Sequence, residues 1–431
     1  MTTMLQTYPK YAKSGPVWFG ELPDEWGVVP MRSLFETKKQ FVADKSDQHL
    51  LLSLTMGGVK HRDLCGTGKN PTNYESYQAF RKNDLVACLF DYDVTPRTIG
   101  YVEEDGMMTG AYTRLIPRAN VDSKYFYYLY LYLDERKELL HQCTGLRNSI
   151  SKPVFWSLQN PRPPVDTQQR IAGFLDKKTK IIDELVAKKE KLIELLYEKR
   201  IALITHTVTK GLDSHAKLKP SGVEWLGDIP EEWPTRRIRF IVKTNPSKSE
   251  ISGLPNQVVS FLPMSHVSEH GTLDFSDERE MNFVYNGFTY FRNGDVILAK
   301  ITPCFENGKG AFVTGLKNTI GFGSTEFHVF RPKQIAGKYL YYFFMSDGFK
   351  KFGELNMKGT AGQKRVPELF IKDFIIGIPP EKEQVQISDY LDAKTESLDS
   401  VVLETQSQIE KLNEYRSSLI YSAVTGKIKI Q

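Results

Sequence analysis

Apolar residues recur at helical spacing in two long proline-free stretches, Thr167 to Thr209 and Lys382 to Thr425. Each follows a proline pair, Pro163-Pro164 or Pro379-Pro380. Proline has a fixed φ and no N–H, so a helix cannot run backwards through it, and each pair marks a helix start. Glycine is nearly absent too, with Gly173 the only one before Gly211 or Gly426. A heptad laid on the first stretch places Ile171, Leu175, Ile182, Leu185, Leu192, Leu196 and Leu203 at a and d. Adding 216 gives Ile387, Leu391, Leu398, Val401, Gln408, Leu412 and Leu419, so six of the seven positions are apolar in both copies. Charges such as Lys188, Lys189, Glu190 and Lys191 fall on solvated positions. At 1.5 Å per residue each helix would run roughly 60 Å. Helices of that length and pattern are expected to pair along this seam as an antiparallel coiled coil.

The chain is written twice. Trp18-x-Gly20-x-x-Pro23-x-x-Trp26 returns as Trp225-x-Gly227-x-x-Pro230-x-x-Trp233, an offset of 225 − 18 = 207. Pro163-Pro164-x-x-x-Gln168-x-x-Ile171-x-x-x-Leu175-Asp176 returns as Pro379-Pro380-x-x-x-Gln384-x-x-Ile387-x-x-x-Leu391-Asp392, an offset of 379 − 163 = 216. The second copy has therefore gained nine residues internally. Fainter echoes lie between, such as Leu54-Thr55-Met56 with Val59 against Leu262-Pro263-Met264 with Val267, and Asn83-Asp84-Leu85-Val86 against Gly294-Asp295-Val296-Ile297. Each half is one variable globular segment followed by one standard helix. The expected division is residues 1–160, a globular unit; 161–212, a spacer helix; 213–376, a second unit; and 377–431, a second spacer helix. Antiparallel helices would relate the two halves by a pseudo-twofold axis.

Within each unit, short runs rich in Val, Ile, Phe and Tyr alternate with Gly, Asn, Asp and Pro clusters, the pattern of strands and turns. Asp84 to Phe90 and Asp295 to Ile301 are candidate strands, whereas Tyr125 to Tyr132 and Tyr339 to Phe344 are candidate helices whose aromatics form core. The fold class is α+β. The loops carry the candidate chemistry. Lys300-Ile-Thr302-Pro-Cys-Phe-Glu306-Asn307-Gly-Lys309-Gly310 joins cations, amide and hydroxyl donors to glycines that let backbone approach a partner. Its counterpart Phe90-Asp-Tyr92-Asp-Val-Thr95-Pro-Arg97-Thr98-Ile-Gly100 differs in side chains at a similar place. Thr144-Gly-Leu-Arg147-Asn148 and Thr360-Ala-Gly-Gln363-Lys364-Arg365 form a third pair. Arginine pairs with guanine, asparagine and glutamine pair with adenine, and lysine holds phosphate. The candidate DNA contacts are therefore Arg97, Thr98, Arg147 and Asn148 in the first half. In the second they are Lys300, Thr302, Asn307, Lys309, Thr360, Gln363, Lys364 and Arg365.

At 431 residues the chain exceeds what one core usually serves, and 57 basic against 52 acidic residues is too mild an excess to establish a polyanionic partner alone. The cysteines, Cys65, Cys88, Cys143 and Cys304, form no Cys-x-x-Cys pair, so free thiols are expected and no metal site. Neither a signal peptide nor an eighteen-residue apolar window appears, which makes a cytoplasmic protein the expectation.

The duplicated Trp-x-Gly-x-x-Pro-x-x-Trp opening resembles type I restriction-modification specificity subunits. So do the Pro-Pro-x-x-x-Gln helix start, the closing Val424-Thr425-Gly426 and Gly294-Asp-x-x-x-x-Lys300-Ile-Thr-Pro-x-Phe-Glu-Asn-Gly-Lys309. The likeness covers nearly the whole chain. It implies two target-recognition domains, each reading half of a bipartite, asymmetric site in double-stranded DNA, with the helices setting the gap. It also implies docking of two modification subunits that bind S-adenosylmethionine and methylate adenine, and a further ATP-driven, Mg-dependent motor subunit for cleavage. No cofactor is expected in this chain. The first half departs from the pattern in Val165-Asp166-Thr167 before Gln168 and in Lys210-Gly211.

Two rival classes remain open: an enzyme acting on DNA, and a coiled-coil adaptor that binds only proteins. Pro23-Asp24 with Glu36-Thr37-Lys38 mimics a nuclease metal site, but Pro230-Glu231 has no matching Glu-x-Lys beyond it. Asn160-Pro161-Arg162-Pro163 only approaches the Asn-Pro-Pro-aromatic motif of an adenine methyltransferase. Gly66-Thr67-Gly68-Lys69-Asn70 lacks the first glycine and the Ser or Thr of a P-loop. His266 and His270 lack the glutamate of a helical zinc motif. A steep salt dependence of DNA binding separates the DNA reader from the adaptor.

Overall fold

The computed structural model describes residues 6–16, 18–62, 73–95, 97–360 and 362–431. Cys65 and the segment Gly66 to Asn70 lie outside the described residues. The chain divides into two compact units, Met1–Lys189 with Ser407–Gln431, and Glu190–Gln406. The division cuts both long helices, Val165–Lys210 and Glu381–Val424, so each unit contains one globular segment and a portion of both.

The first unit is built on a four-stranded antiparallel sheet ordered Phe35–Glu36, Thr113–Pro117, Leu85–Ala87, Ile99–Tyr101. The second repeats that order with Val242–Thr244, Phe327–Pro332, Val296–Ala299 and Gly310–Phe312. It adds a second four-stranded sheet in which Val258–Leu262 runs parallel to Ile320–Gly323. The tyrosine-rich runs form helices, Ser123–Glu135 and Gly337–Phe344, and nearly all of their aromatic rings are buried. The architecture is α+β, duplicated, with two long helices.

The repeated motifs build the same joint in each unit. Pro23 and Trp26 close on Gly426 in the first, and Pro230 and Trp233 close on Gly211 in the second. Each glycine sits just past its helix at positive φ, 68° and 77°, with a neighbouring side chain inside the space a Cβ would need. Only glycine ends the helix that way and leaves room for the ring. Tyr125 Oη donates to Val424 O at 2.9 Å, and Tyr339 Oη donates to Val208 O at 2.9 Å, satisfying a last-turn carbonyl in each case. At the other helix start, Gln168 Nε2 donates to Pro163 O and its Oε1 accepts from Asp122 N; Gln384 repeats this with Pro379 O and Ala336 N. Asp176 accepts from Lys124 and Tyr128, and Asp392 from Lys338 and Tyr342.

Helix pairing is antiparallel in the first unit, where Asp183 meets Arg416 and Lys189 meets Gln408; in the second, Arg200 meets Asp399. Ile171, Leu175, Ile182, Ile387, Leu391 and Leu419 are buried, and Leu196, Leu203, Leu398 and Leu412 are half-buried. Leu185 and Val401 depart from the heptad expectation, being 40% and 41% exposed, as does Leu192 at 42%. The seam instead steps 171, 175, 179, 182, 186 and, 216 residues on, 387, 391, 395, 398, 402. A straight helix of 3.6 residues per turn drifts from a strict 3.5 repeat, so Val186 and Val402 rotate inward where Leu185 and Val401 were expected. Thr179 and Thr395 fill the third step, each hydroxyl donating to the carbonyl four residues back, Leu175 O and Leu391 O. Buried threonines were invisible to a count of apolar residues.

Candidate nucleic-acid interface

In the first unit the loop following Leu85–Ala87 is stitched to the 144–149 hairpin. Asp91 N donates to Arg147 O at 2.7 Å, Tyr92 N to Asn148 O at 3.2 Å and Ile150 N to Leu89 O at 2.9 Å. Thr144 and Ser149 exchange backbone hydrogen bonds of 2.9 and 3.0 Å, and Gly145 and Asn148, both at positive φ, tighten the tip. Arg147 folds back on this base. Its Nε donates to Asp91 Oδ1 at 2.8 Å, a second nitrogen reaches Asp91 Oδ2, and the guanidinium lies 5.0 Å from the Phe90 ring centroid. The hydrogen bonds from Arg147 hold the Asp91 carboxyl below its ordinary range and in turn raise the arginine. Arg97 is half-buried, donating from Nε to Met56 O at 2.7 Å and pairing with Glu135 at 3.7 Å.

Thr98 is a correction. It is 3% exposed, and both its N–H and its hydroxyl are consumed by Asp134 at 2.7 Å. A side chain so held has nothing to offer DNA.

The second unit repeats the stitching with different chemistry. Lys358 and Arg365 exchange backbone hydrogen bonds of 2.9 and 2.8 Å, Thr302 N donates to Lys364 O at 3.0 Å, and Val366 N donates to Lys300 O at 2.8 Å. Beneath, His328 Nε2 donates to Val366 O at 2.9 Å; a carbonyl only accepts, so this nitrogen carries the hydrogen. Burial pushes the imidazole below its ordinary pKa and keeps it neutral. Arg365 makes a two-pronged contact with Glu326, at 2.9 and 2.8 Å, which holds that carboxyl low. Lys358, Thr360, Gln363 and Lys364 are exposed around it, and Lys300 and Thr302 are half-buried at its foot.

Asn307 and Lys309 turn elsewhere, toward a different loop. Asn307 Nδ2 donates to Glu269 Oε1 at 2.7 Å, and Lys309 Nζ to Met264 O at 3.2 Å. The structure thus gathers Lys300, Thr302, Thr360, Gln363, Lys364 and Arg365 in one unit, and Arg147 and Asn148 with the Asp91 loop in the other. Asp91 and Glu326, which hold the two arginines, went unnoticed in the sequence because carboxylates are not what a DNA contact suggests.

The motifs weighed for catalysis have local tasks. Glu36 pairs with Arg118 at 3.2 Å on the surface. Asn160 is buried in the strand Gln159–Arg162, with its amide on Leu158 O. His270 stacks on Tyr197, with ring centroids 5.6 Å apart. Among the described residues no cluster of His, Cys, Asp or Glu has the makings of a metal site, and no helix is long and apolar enough to cross a membrane. Cys88 is a buried free thiol, and Cys143 and Cys304 are half-buried free thiols.

Residues 268–411 match the family described as the type I restriction modification DNA specificity domain. The stretch contains Lys300 to Lys309 and Thr360 to Arg365. Over that stretch the chain is similar to the type I DNA specificity domain. The type I restriction enzyme EcoAI specificity subunit of Escherichia coli is 44% identical over 164 residues. That match covers 37% of this chain and spans about a quarter, 27%, of the relative's length. Two solved structures share this chain's fold at 13% identity. One, from work on complex assembly and conformational transition of the type I R-M system, has a TM-score of 0.68 and covers 94% of this chain and 99% of its own. The other, the HsdS subunit from Thermoanaerobacter tengcongensis, has a TM-score of 0.53 and covers 97% of this chain and 100% of its own.

Proposed function

We propose that this chain is a type I specificity subunit that reads DNA and performs no chemistry on it. Each unit reads one half of a bipartite, asymmetric site, and the long helices link the halves and dock two modification subunits. S-adenosylmethionine, ATP and Mg would then belong to the partner subunits, the last two to a motor subunit where one is present. The observation that carries this reading is the loop pair built twice on one sheet order, stitched by equivalent backbone bonds and finished with different side chains. A protein adaptor has no need for nonidentical polar loops on equivalent frames, whereas two readers of different bases do. Exchanging residues 213–376 for those of another family member tests it directly. The recognised sequence should change in one half only; a change in both halves would refute the two-reader scheme.

A further inference from the structure

The second unit contains a half-buried cation with no carboxylate to answer it. Lys248 opens the short turn Lys248–Ile251. Its Nζ donates to Tyr285 O at 2.7 Å and lies 5.9 and 6.0 Å from the ring centroids of Tyr285 and Phe322. Among the described residues it makes no salt bridge, and burial alone accounts for its lowered pKa. Neighbouring cations are treated otherwise: Arg331 is clamped by Asp295 and Glu250, and Lys243 by Glu250. Withdrawing an ammonium from water without a counter-charge opposes folding, so a ligand that supplied the missing charge would bind favourably there.

Lys248 borders a cleft of about 280 Å³ whose lining includes Asn245, Phe288, Thr289, Lys300 and Thr325, and no carboxylate. Lys300 is fixed there through its backbone, donating to Glu326 O at 2.9 Å and accepting from Val366 N. Asn245 is occupied by Glu368 and by Val329 N. Lys248, Lys300, Thr289 and Thr325 line the space, and Lys300 also lies near enough to the Glu326 carboxyl to help hold it low.

We propose that this cleft is a phosphodiester site, in which Lys248 and Lys300 hold the oxygens of one backbone phosphate and Thr289 and Thr325 donate hydroxyl hydrogen bonds to it. The proposal rests on the DNA-reading function. It makes this phosphate the register point from which the 300–309 and 358–366 loops are set against the bases. Inorganic phosphate offers the same oxygens, and the test separates the two sources.

The full-length chain is titrated into a fluorescent 30-base-pair duplex across a KCl series, with thermal unfolding recorded for each protein. K248M should lower the slope of log K against log salt by about 0.9 and weaken binding roughly eightfold at 0.1 M salt, alike for every duplex sequence. Its thermal midpoint should hold or rise, because an unanswered charge has gone. K248R should restore the slope, and K300M should lower it as K248M does. A K248M protein that binds with the wild-type slope overturns the proposal while leaving DNA reading intact. So does a lysine whose loss lowers the melting temperature but not the slope. If 10 mM inorganic phosphate raises the wild-type melting temperature but not that of K248M, while duplex binding is equal in both, the site takes free phosphate and the proposal fails. Absence of duplex binding by the wild type would instead remove the DNA-reading function on which the proposal rests.

Discussion

Arg147 and Arg365 are each held by an internal carboxylate, so under the proposed function base recognition by either would be an exchange of partners. Asp91 and Glu326 occupy the same two-pronged edge of the guanidinium that guanine would take. On that reading a wrong base would leave the arginine where it is, sharpening discrimination beyond what a free side chain provides. The account predicts that R365A costs about 1–3 kcal/mol of binding and relaxes one position in the half read by the second unit. R147A should do the same in the other half, and neither should blur both. Duplex panels varied one base at a time measure this directly. The arginines stood out in the sequence because guanidinium in a glycine-rich loop advertises its chemistry, whereas the carboxylates that hold them did not. Thr98 misled because a threonine hydroxyl serves a buried carboxylate as readily as a base, and Asp134, which claims it, lies 36 residues away. Lys248 gave no signal, since its lack of a counter-charge exists only once the sheets are assembled.

The elements repeat more faithfully than the residues do. In both units a buried aspartate at the head of a central strand caps its own turn and pairs with an arginine on the neighbouring strand. Asp84 accepts from Arg81 N and from Arg114 Nε, both at 2.6 Å, and Asp295 accepts from Arg292 N at 2.9 Å and from Arg331 at 2.7 and 2.8 Å. The echo of Asn83-Asp84 and Gly294-Asp295 showed in the sequence, but its partner strand did not. Removing one member of a buried pair strands the other, so D84A should destabilise the first unit by about 3–5 kcal/mol. The double variant D84A/R114M should recover most of that loss in urea unfolding. A D84A protein as stable as wild type would mean that Arg114 finds water. The proline pairs placed both long helices correctly, because proline constrains the backbone wherever it stands. The seam was misjudged at Leu185 and Val401 because helical drift and buried threonines leave no mark in a strict heptad.

At the scale of the molecule, duplication is the central fact: one sheet order, one tyrosine-to-carbonyl joint and one loop pair, each made twice with different loop side chains. The tandem motifs exposed that organisation because they are the residues of the joint, where Gly211, Gly426 and the tryptophans admit few substitutes. The candidate reading loops could be named in the sequence only as regions, since a loop's contacts depend on where its backbone is tied. The most direct test is co-expression with a type I modification subunit, followed by single-molecule sequencing of host DNA for methylated adenine. The account predicts methylation confined to one split motif with two defined halves, and none when this chain is expressed alone. Methylation by this chain without its partner, or a stable complex that methylates nothing, would contradict it.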